Sequence, residues 1–387
     1  MTKSPDMKKT LLFSFTFMLM ALAGLCQETG FNSVSVQLRQ IVRLPNELME
    51  SSGIMVSGPN SIWSHEDSGN DNVLYNFDTT GNLKRTLVIS NMQNIDWEDL
   101  TVDEQERVYI DDAGNNNNNR TDLAIYRIPN PVTISGNSVE AEVIHFVLED
   151  QQAFPPQSGN LNYDIEAIIW HSDSLFLFTK NRSTPLNGFT KMYKLPAIPG
   201  SFVAQLCDSL YIGSTNASAR ITSADINHLT GELVLLTQTK IVSVKNYPGN
   251  RFFDGQIAEY LFSTLPGQNE GLAFVTPYRL YMTEEGTGNS AGFLYDIHLP
   301  VVNVIEDRMT ENELLKVFPN PVDAMLQIET GFSGRVDLEL LDARGIRLKS
   351  VSINSHYLLD MGNFPKGVYF LRAIKHRNTI TRRIIKY

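Results

Sequence analysis

The chain has 387 residues, 42% of them hydrophobic and 19% charged, a composition ordinary for folded proteins and a length sufficient for two domains. Its formal net charge is −11, but residues 316–387 hold 12 Lys+Arg and 6 Asp+Glu, a net of +6, so the remainder carries −17. An acidic body of this kind disfavours nucleic acid and other polyanions, which need basic surface, and suits cations or neutral ligands; solubility is the plainer reason for such a charge.

At the start of the chain, Lys8-Lys9 precede an apolar stretch from Leu11 to Leu22 and the small residues Ala23 and Gly24. A charged head, a short apolar segment and a small-residue exit predict a secretory signal over residues 1–26, cleaved near Ala23 or just before Gln27. Cys26 opens a lipoprotein reading, against which stands Leu25, where a small residue normally precedes a lipidated cysteine. No other apolar run approaches the roughly 20 residues of a membrane span, so no transmembrane segment is expected. Cys26 and Cys207 are the two cysteines. With the signal removed, the remaining thiol forms no internal disulfide frame, and Cys207 reads as a small buried hydrophobe.

Residues 27–300 show almost no helical periodicity. Short alternating or apolar runs dominate instead: Val34–Leu38, Val73–Phe77, Arg107–Ile110, Leu175–Phe178, Leu233–Leu236 and Arg279–Met282, each bounded by Gly, Asn, Asp or Pro. This pattern predicts strands. The runs fall into a cassette that opens on a polar-small-apolar step: Ser52-Gly53-Ile54, Glu98-Asp99-Leu100, Glu166-Ala167-Ile168, Ala224-Asp225-Ile226 and Glu270-Gly271-Leu272. The openings at 52, 98, 166, 224 and 270 are 46, 68, 58 and 46 residues apart. Each is followed by a second strand and then by a third that carries Tyr or an aliphatic residue.

Periods of that size, with several strands in each, predict a β-propeller. Five blades fit the count; six would follow if the long second or third cassette hides another, and a β-sandwich with coincidental spacing is the alternative. The last cassette, Glu270 to Leu299, holds three strands. The segment Val34–Leu44 is therefore expected to complete it and close the ring, which removes exposed edges. Residues 301–315 read as a linker. Residues 316–387, with about seven short strands, read as a small Ig-like β-sandwich.

The first strand of each blade of a propeller lines the channel, so the opening residues are expected to converge. Glu98, Glu166 and Glu270 are then candidate ligands of a hard cation, calcium or another divalent ion such as magnesium, because ionised carboxylates gathered on one axis repel one another. The alternative is that each glutamate bonds backbone amides of the next blade and staples the ring. Turns after the second strands add His65, Asp67, Asp112, Lys180 and Arg182 as candidate rim residues of one mouth; ordinary turn chemistry competes with that role, since Asp-Ser-Gly and Asp-Ala-Gly are good turn formers. The run Asn115–Asn119 reads as a mobile loop tip. There is no Gly-x-Ser-x-Gly elbow, His-Glu-x-x-His, Cys-x-x-Cys or phosphate loop. His145, His171, His228 and His298 are scattered and read as structural, and Trp63, Trp97 and Trp170 as core, with Trp97 also placed to wall a pocket beside Glu98.

The tail carries Phe318-Pro319-Asn320-Pro321, Val336–Gly345, Phe364–Arg372 and a basic end, Arg382–Tyr387. It resembles the type A C-terminal sorting domain of the type IX secretion system of Bacteroidota. That resemblance implies export to the outer surface or medium, with the secretion machinery as partner and the tail usually removed afterwards. Glu50–Ile54, Trp63–Asn70, Asp96–Leu100 and Tyr109–Asn116 resemble uncharacterised secreted bacterial propellers and are more distantly similar to SdiA-regulated, esterase-like phytase and gluconolactonase-type propellers. In the last of these a channel glutamate helps to bind a divalent metal, and Glu270 in Asn269-Glu270-Gly271-Leu272 is the local echo. Two functions are expected: a secreted or cell-surface binding module for a glycan, peptide or protein, and, as the alternative, a divalent-metal-dependent hydrolase of a lactone, ester or phosphoester.

Overall fold

The computed structural model describes residues 30–58, 60–300, 315–330, 336–353, 356–375 and 378–387. The expected signal at 1–26, and all of the expected linker at 301–315 except Leu315, lie outside the described residues. The chain separates after Pro300 into two compact units.

The first unit is built of strands, as expected. In chain order they are β1 (Asn32–Val36), β2 (Leu38–Arg43), β3 (Ser51–Gly58), β4 (Ser61–Glu66), β5 (Val73–Phe77), β6 (Leu83–Ile89), β7 (Leu100–Val102), β8 (Val108–Asp112), β9 (Ala124–Ile128), β10 (Ser138–Val139) and β11 (Glu142–Leu148). There follow β12 (Ile165–His171), β13 (Ser174–Thr179), β14 (Phe189–Pro196), β15 (Gly200–Tyr211), β16 (Ser223–Ile226), β17 (Leu233–Leu236), β18 (Lys240–Lys245), β19 (Gln256–Phe262), β20 (Asn269–Thr276), β21 (Arg279–Glu284) and β22 (Phe293–His298). They pair as the antiparallel meanders β3-β4-β5-β6, β7-β8-β9-β11, β12-β13-β14-β15 and β16-β17-β18-β19, with β20-β21-β22 completed by β2. Of the expected segment Val34–Leu44, Leu38–Arg43 supplies the outer strand of the last sheet through Leu38↔Ile297 to Arg43↔Phe293, whereas Val34–Val36 pairs with β19 of the preceding sheet.

Three outer edges each meet a strand running parallel to them: β10 on β6, β11 on β15 and β1 on β19. Covering an edge in this way removes a template for association.

The cores explain why the inner strands read as continuous apolar runs. One apolar cluster joins Met55, Trp63 and Leu74 to Trp97, Val108 and Ile110. The next joins Tyr109 and Ile125 to Ile168, Leu177 and Tyr193. A third joins Phe176 and Phe178 to Leu235 and Val242, and a fourth joins Val234 and Ile241 to Leu272 and Met282. The fifth returns from Ala273, Tyr281 and Leu294 to Ile54, Ile62 and Phe77. Every cluster is shared by two successive sheets, and the last sheet packs on the first. Inner strands such as β13 and β17 are therefore buried on both faces, whereas the outer strand β11 alternates. Each large side chain so buried contributes roughly 1.5–3 kcal/mol.

The first strands β3, β7, β12, β16 and β20 are neighbours in that cyclic order. Short polar side chains join them. The Asp99 carboxyl accepts from Ile168 N (3.1 Å), Ala224 N (3.0 Å) and Ser223 Oγ (3.0 Å). Ser223 Oγ accepts from Leu272 N (3.1 Å), and Asp225 Oδ2 from Phe274 N (2.7 Å). Ala167 offers no side-chain acceptor, so Asp99 serves both β12 and β16. Ser223 thus plays in its sheet the part of Asp99, and the fourth cassette opens at Thr222-Ser223-Ala224, two residues before the expected Ala224-Asp225-Ile226.

Two further expectations are corrected. Cys207 is exposed, because the β14–β15 register slips between Met192↔Asp208 and Tyr193↔Leu206 and leaves it as the extra residue of a bulge. The asparagine run is not a loose tip: Asn115 and Asn118 are buried. Asn115 Oδ1 accepts from the amides of Asn119 and Arg120, and Asn118 Oδ1 from Tyr163 N. Trp63, Trp97 and Trp170 are buried, as expected.

In the second unit, β23 (Leu315–Phe318), β24 (Met325–Thr330) and β27 (His356–Asp360) form one sheet, and β25 (Val336–Leu341), β26 (Arg347–Ile353), β28 (Gly367–Lys375) and β29 (Asn378–Lys386) form another. Leu326 and Ile328 of the first share a core with Leu338, Leu371 and Ile384 of the second. Asn320, in the Phe-Pro-Asn-Pro segment, accepts from Ile385 N (2.9 Å) and donates to Arg383 O (2.7 Å), which ties the start of this unit to its basic end.

Gly53 marks a tight approach between first strands. Its amide donates to Glu98 O (2.9 Å), and a Cβ there would lie 2.6–2.8 Å from the backbone of Asp99 and Leu100. Gly53→Ala must therefore push β3 away from β7. The expected outcome is a loss of about 1–3 kcal/mol, checked by urea denaturation of the two proteins.

Candidate functional site

In an antiparallel hairpin the start of the first strand lies beside the end of the second. Ser51 pairs with Glu66, Ile165 with Thr179 and Asn269 with Glu284; Glu98 N donates to Asp111 O and Lys180 N to Asp164 O. The opening residues and the turns after the second strands are thereby brought to the same end of each sheet. Bulges sharpen the effect. Registers jump from Ile165 to Ala167 and from Asn269 to Gly271, so Glu166 and Glu270 are the extra residues. A bulge re-aims its side chain out of the alternating pattern.

Glu98, Glu166 and Glu270 are all buried. Lys180 Nζ lies 2.8 Å from Glu166 Oε2 and 3.8 Å from Glu270 Oε1. Arg182 bonds Glu166 Oε1 through Nη2 (2.7 Å) and Asp164 Oδ2 through Nε (2.6 Å). Both Glu166 oxygens are thus held by the protein's own cations. Lys180 and Arg182 belong to the interior of the group rather than to a rim. The ammonium of Lys180 is pushed above its ordinary range by Glu166, Glu270 and Glu98, against the opposing effect of its burial.

Glu98 has a different setting. One oxygen each of Asp67, Asp96 and Glu98 lie within 4.8 Å of one another. Asp96 and Glu98 are 8% and 5% exposed, and neither carboxylate has a hydrogen-bond donor on it among the described residues. Asp67 is half-buried and accepts from Ser68 N (2.5 Å). The backbone of Gly114 presses on this trio: a Cβ there would come 2.2 Å from Glu98 Oε1 and 2.7 Å from Asp96 Oδ2. Burial, then Glu166 and Asp67, raise the Glu98 carboxyl well above its ordinary range. Burial and Asp67 push Asp96 up to about 7.

The other two rim candidates have structural partners or positions. Asp112 accepts from Tyr126 OH (2.7 Å), Asp96 N (2.9 Å) and Arg120 Nη1 (3.2 Å). His65 is fully buried, not at a rim, because β4 turns that face toward Trp97, 5.6 Å away ring to ring. Its Nδ1 donates to Glu66 O (2.9 Å), and burial lowers its pKa to about 4, so the ring is neutral.

The backbone-stapling role weighed for the glutamates belongs to Asp99 and Asp225, which accept first-strand amides. The sequence reading also passed over Asp96 and Asp164, while Glu285 lies in Glu284-Glu285-Gly286, one of the turns after second strands that were expected at the mouth. The signal for the first two is the repeated Asp-x-Glu of Asp96-Trp97-Glu98 and Asp164-Ile165-Glu166. Glu285 follows β21, and burial beside Asp67 pushes it up to about 7.

Residues 316–387 match the family of secretion system C-terminal sorting domains. Proteins with this tail are type IX cargo, exported to the cell surface or the medium, and the tail engages that machinery. No curated protein matches the chain. Among solved structures, the chain is similar to the extracellular domain of a protein named as a hybrid two-component system of B. thetaiotaomicron, at 12% identity and a TM-score of 0.31 over 84% of this chain. The match spans about half of that chain, 48%, and at that TM-score it bears on neither fold nor activity here. No helix among the described residues is long and apolar enough to cross a membrane.

Burial has a measurable consequence. Asp225 and Glu270 keep their protons to about pH 7 in the folded chain, whereas in the unfolded chain they ionise near 4. Between those values the unfolded chain releases protons that the folded chain holds, so stability falls as pH rises from about 4 to about 7. His65, lowered by burial to about 4, opposes the trend between about 4 and 6.5 but is outnumbered by the carboxyls raised to about 7, which include Asp96, Asp164 and Glu285. In metal-free buffer the Tm is expected to be at least about 3 °C higher at pH 5 than at pH 7.5, measured by differential scanning calorimetry.

Proposed function

We propose that the first unit is a five-bladed β-propeller and that the exported protein is a binding module. On this reading, the mouth at the shared strand ends holds a divalent cation through Asp67, Asp96 and Glu98. The blade count rests on the five apolar clusters, each shared by two successive sheets, and on the cyclic order of the first strands. The leader at residues 1–26 would bring the chain to the type IX machinery.

The single observation that carries the cation is the pair of buried carboxylates, Asp96 and Glu98, with no donor on either among the described residues and a third, Asp67, within reach. Lys180 and Arg182 are committed to Glu166 and Asp164, so among the described residues no cationic side chain forms an ion pair with this trio, and Lys180 acts on Glu98 and Asp67 only from a distance. Buried ions without partners are costly, and a hard cation with oxygen ligands offsets that cost. Calcium takes six to eight oxygens, so three carboxylates leave positions for hydroxyls or carboxylates of a glycan, peptide or protein partner.

A divalent-metal-dependent hydrolase of a lactone, ester or phosphoester is the second reading. The observation favouring it is that Glu285, outside the trio, is poised at about 7, where a carboxyl exchanges protons most usefully at neutral pH. Turnover that survives in Glu98→Gln would exclude it.

The cation is tested by titrating EDTA-stripped protein with calcium and magnesium in a calorimeter. The expected outcome is measurable heat and, at a hundredfold excess over Kd, a Tm gain of roughly 5 °C, both lost in Glu98→Gln. No heat and an unchanged Tm would remove the cation from the account.

A further inference from the structure

Between the connection that joins β11 to β12 and the start of β14 lies a cavity of about 260 Å³ lined by Asp150, Gln152, Asn160, Asn162, Tyr163, Asn187 and Lys191, with Ala153 and Pro156. It shares no lining residue with the carboxylate group described above. We propose that this cavity is a second binding site, one that takes a single neutral sugar ring from a glycan.

The floor is fixed. Lys191 Nζ lies 2.5 Å from Asp150 Oδ2 and 3.8 Å from the centre of the Tyr163 ring. Tyr193 OH donates to Asp150 Oδ1 (2.7 Å), and Tyr163 OH to Asp150 O (3.1 Å). Asp150 and Lys191 neutralise one another, so the cavity offers polar atoms without net charge and has no unmet charge for an ion. Lys191 keeps ammonium hydrogens beyond the one given to Asp150, which suit a hydroxyl acceptor.

The walls supply amides that donate and accept at once, the combination that adjacent hydroxyls need. Asn187 uses its Oδ1 on Phe189 N (3.1 Å) and on Asn181 Nδ2 (2.5 Å), which leaves its own amide hydrogens for a ligand. Asn162 is held by Thr179 Oγ1 (2.6 Å) and by its bond to Phe189 O (3.0 Å), so its orientation is set before anything binds. Preorganisation of this kind lowers the entropic cost of binding. Ala153 and Pro156 give the apolar contact that the C–H face of a sugar requires. The volume falls just below the roughly 300–1,000 Å³ of sites for drug-sized ligands, which fits one ring rather than a long or fused ligand. A zwitterionic amino acid would have to break the Asp150–Lys191 pair, and is disfavoured for that reason.

The full exported protein, kept in EDTA, is screened by saturation-transfer NMR. The probes are glucose, galactose, mannose, xylose, N-acetylglucosamine and their short oligomers, with glycine and alanine as zwitterionic controls. At least one sugar is expected to bind. Gln152→Ala and Asn160→Ala, both at exposed lining positions whose side chains hold no buried group, are each expected to weaken that binding about fivefold, the loss of one hydrogen bond. Binding of none of the sugars, binding of the amino acids alone, or sugar binding equal in both variants would overturn the proposal. So would sugar binding that needs added calcium, which would move the sugar to the carboxylate site. Failure of calcium to bind leaves this result unaffected, so the two readings fail separately.

Discussion

The ion pairs of Lys180 with Glu166 and Glu270, at 2.8 and 3.8 Å, are the interaction around which the polar end of the first unit is arranged. They exist because two separate sheets, that of β12 and β13 and that of β20, deliver their ends to one place. The antiparallel hairpin sets the start of each first strand beside the end of the second, and a bulge turns Glu166 and Glu270 out of the alternating pattern. Removing charges from water is costly, and it is repaid only where partners and geometry are good. For Glu166 they are good, since both its oxygens are held. For Asp96 and Glu98 they are not, and this inequality within one cluster of carboxylates is what separates structural support from a site with capacity to bind.

The inner part of the fold was legible in the sequence because its strands are buried on both faces. Leu233–Leu236 and Val73–Phe77 are uninterrupted by exposed positions, so their boundaries coincide with β17 and β5. The outer strands β6, β15 and β19 passed unmarked, because exposed and half-exposed positions break their apolar pattern. The same reasoning explains the two-residue error at the fourth opening. Ala224-Asp225-Ile226 matches the polar-small-apolar step in composition, but Ser223 is the residue whose hydroxyl takes the Leu272 amide, and a single serine carries no weight in a pattern search.

The carboxylates were legible in part. Three glutamates at equivalent openings pointed to convergence, and the structure does bury them at neighbouring strand ends. What the sequence did not convey is that the cation already between two of them is a lysine, because a lysine after a strand looks the same whether it faces solvent or a buried acid. Asp96 and Asp164 were hidden for a related reason. Alternation places residues two apart on one face, but which face leads to the common end depends on the bulge, and a bulge leaves no mark in composition. The sorting tail lies at the other extreme: its recognition depends on local motifs, and Asn320 shows what one of them does, closing the unit onto its last strand.

Trp97 sits between Asp96 and Glu98 in the chain, which offers the most direct test of the claim that the trio with Asp67 holds a metal ion. Terbium is a luminescent substitute for calcium, and indole excitation sensitises its emission at short range. The account predicts sensitised emission from the EDTA-stripped protein, competed away by calcium and lost in Glu98→Gln. Absence of that emission, or emission of equal strength from Glu98→Gln, would contradict it.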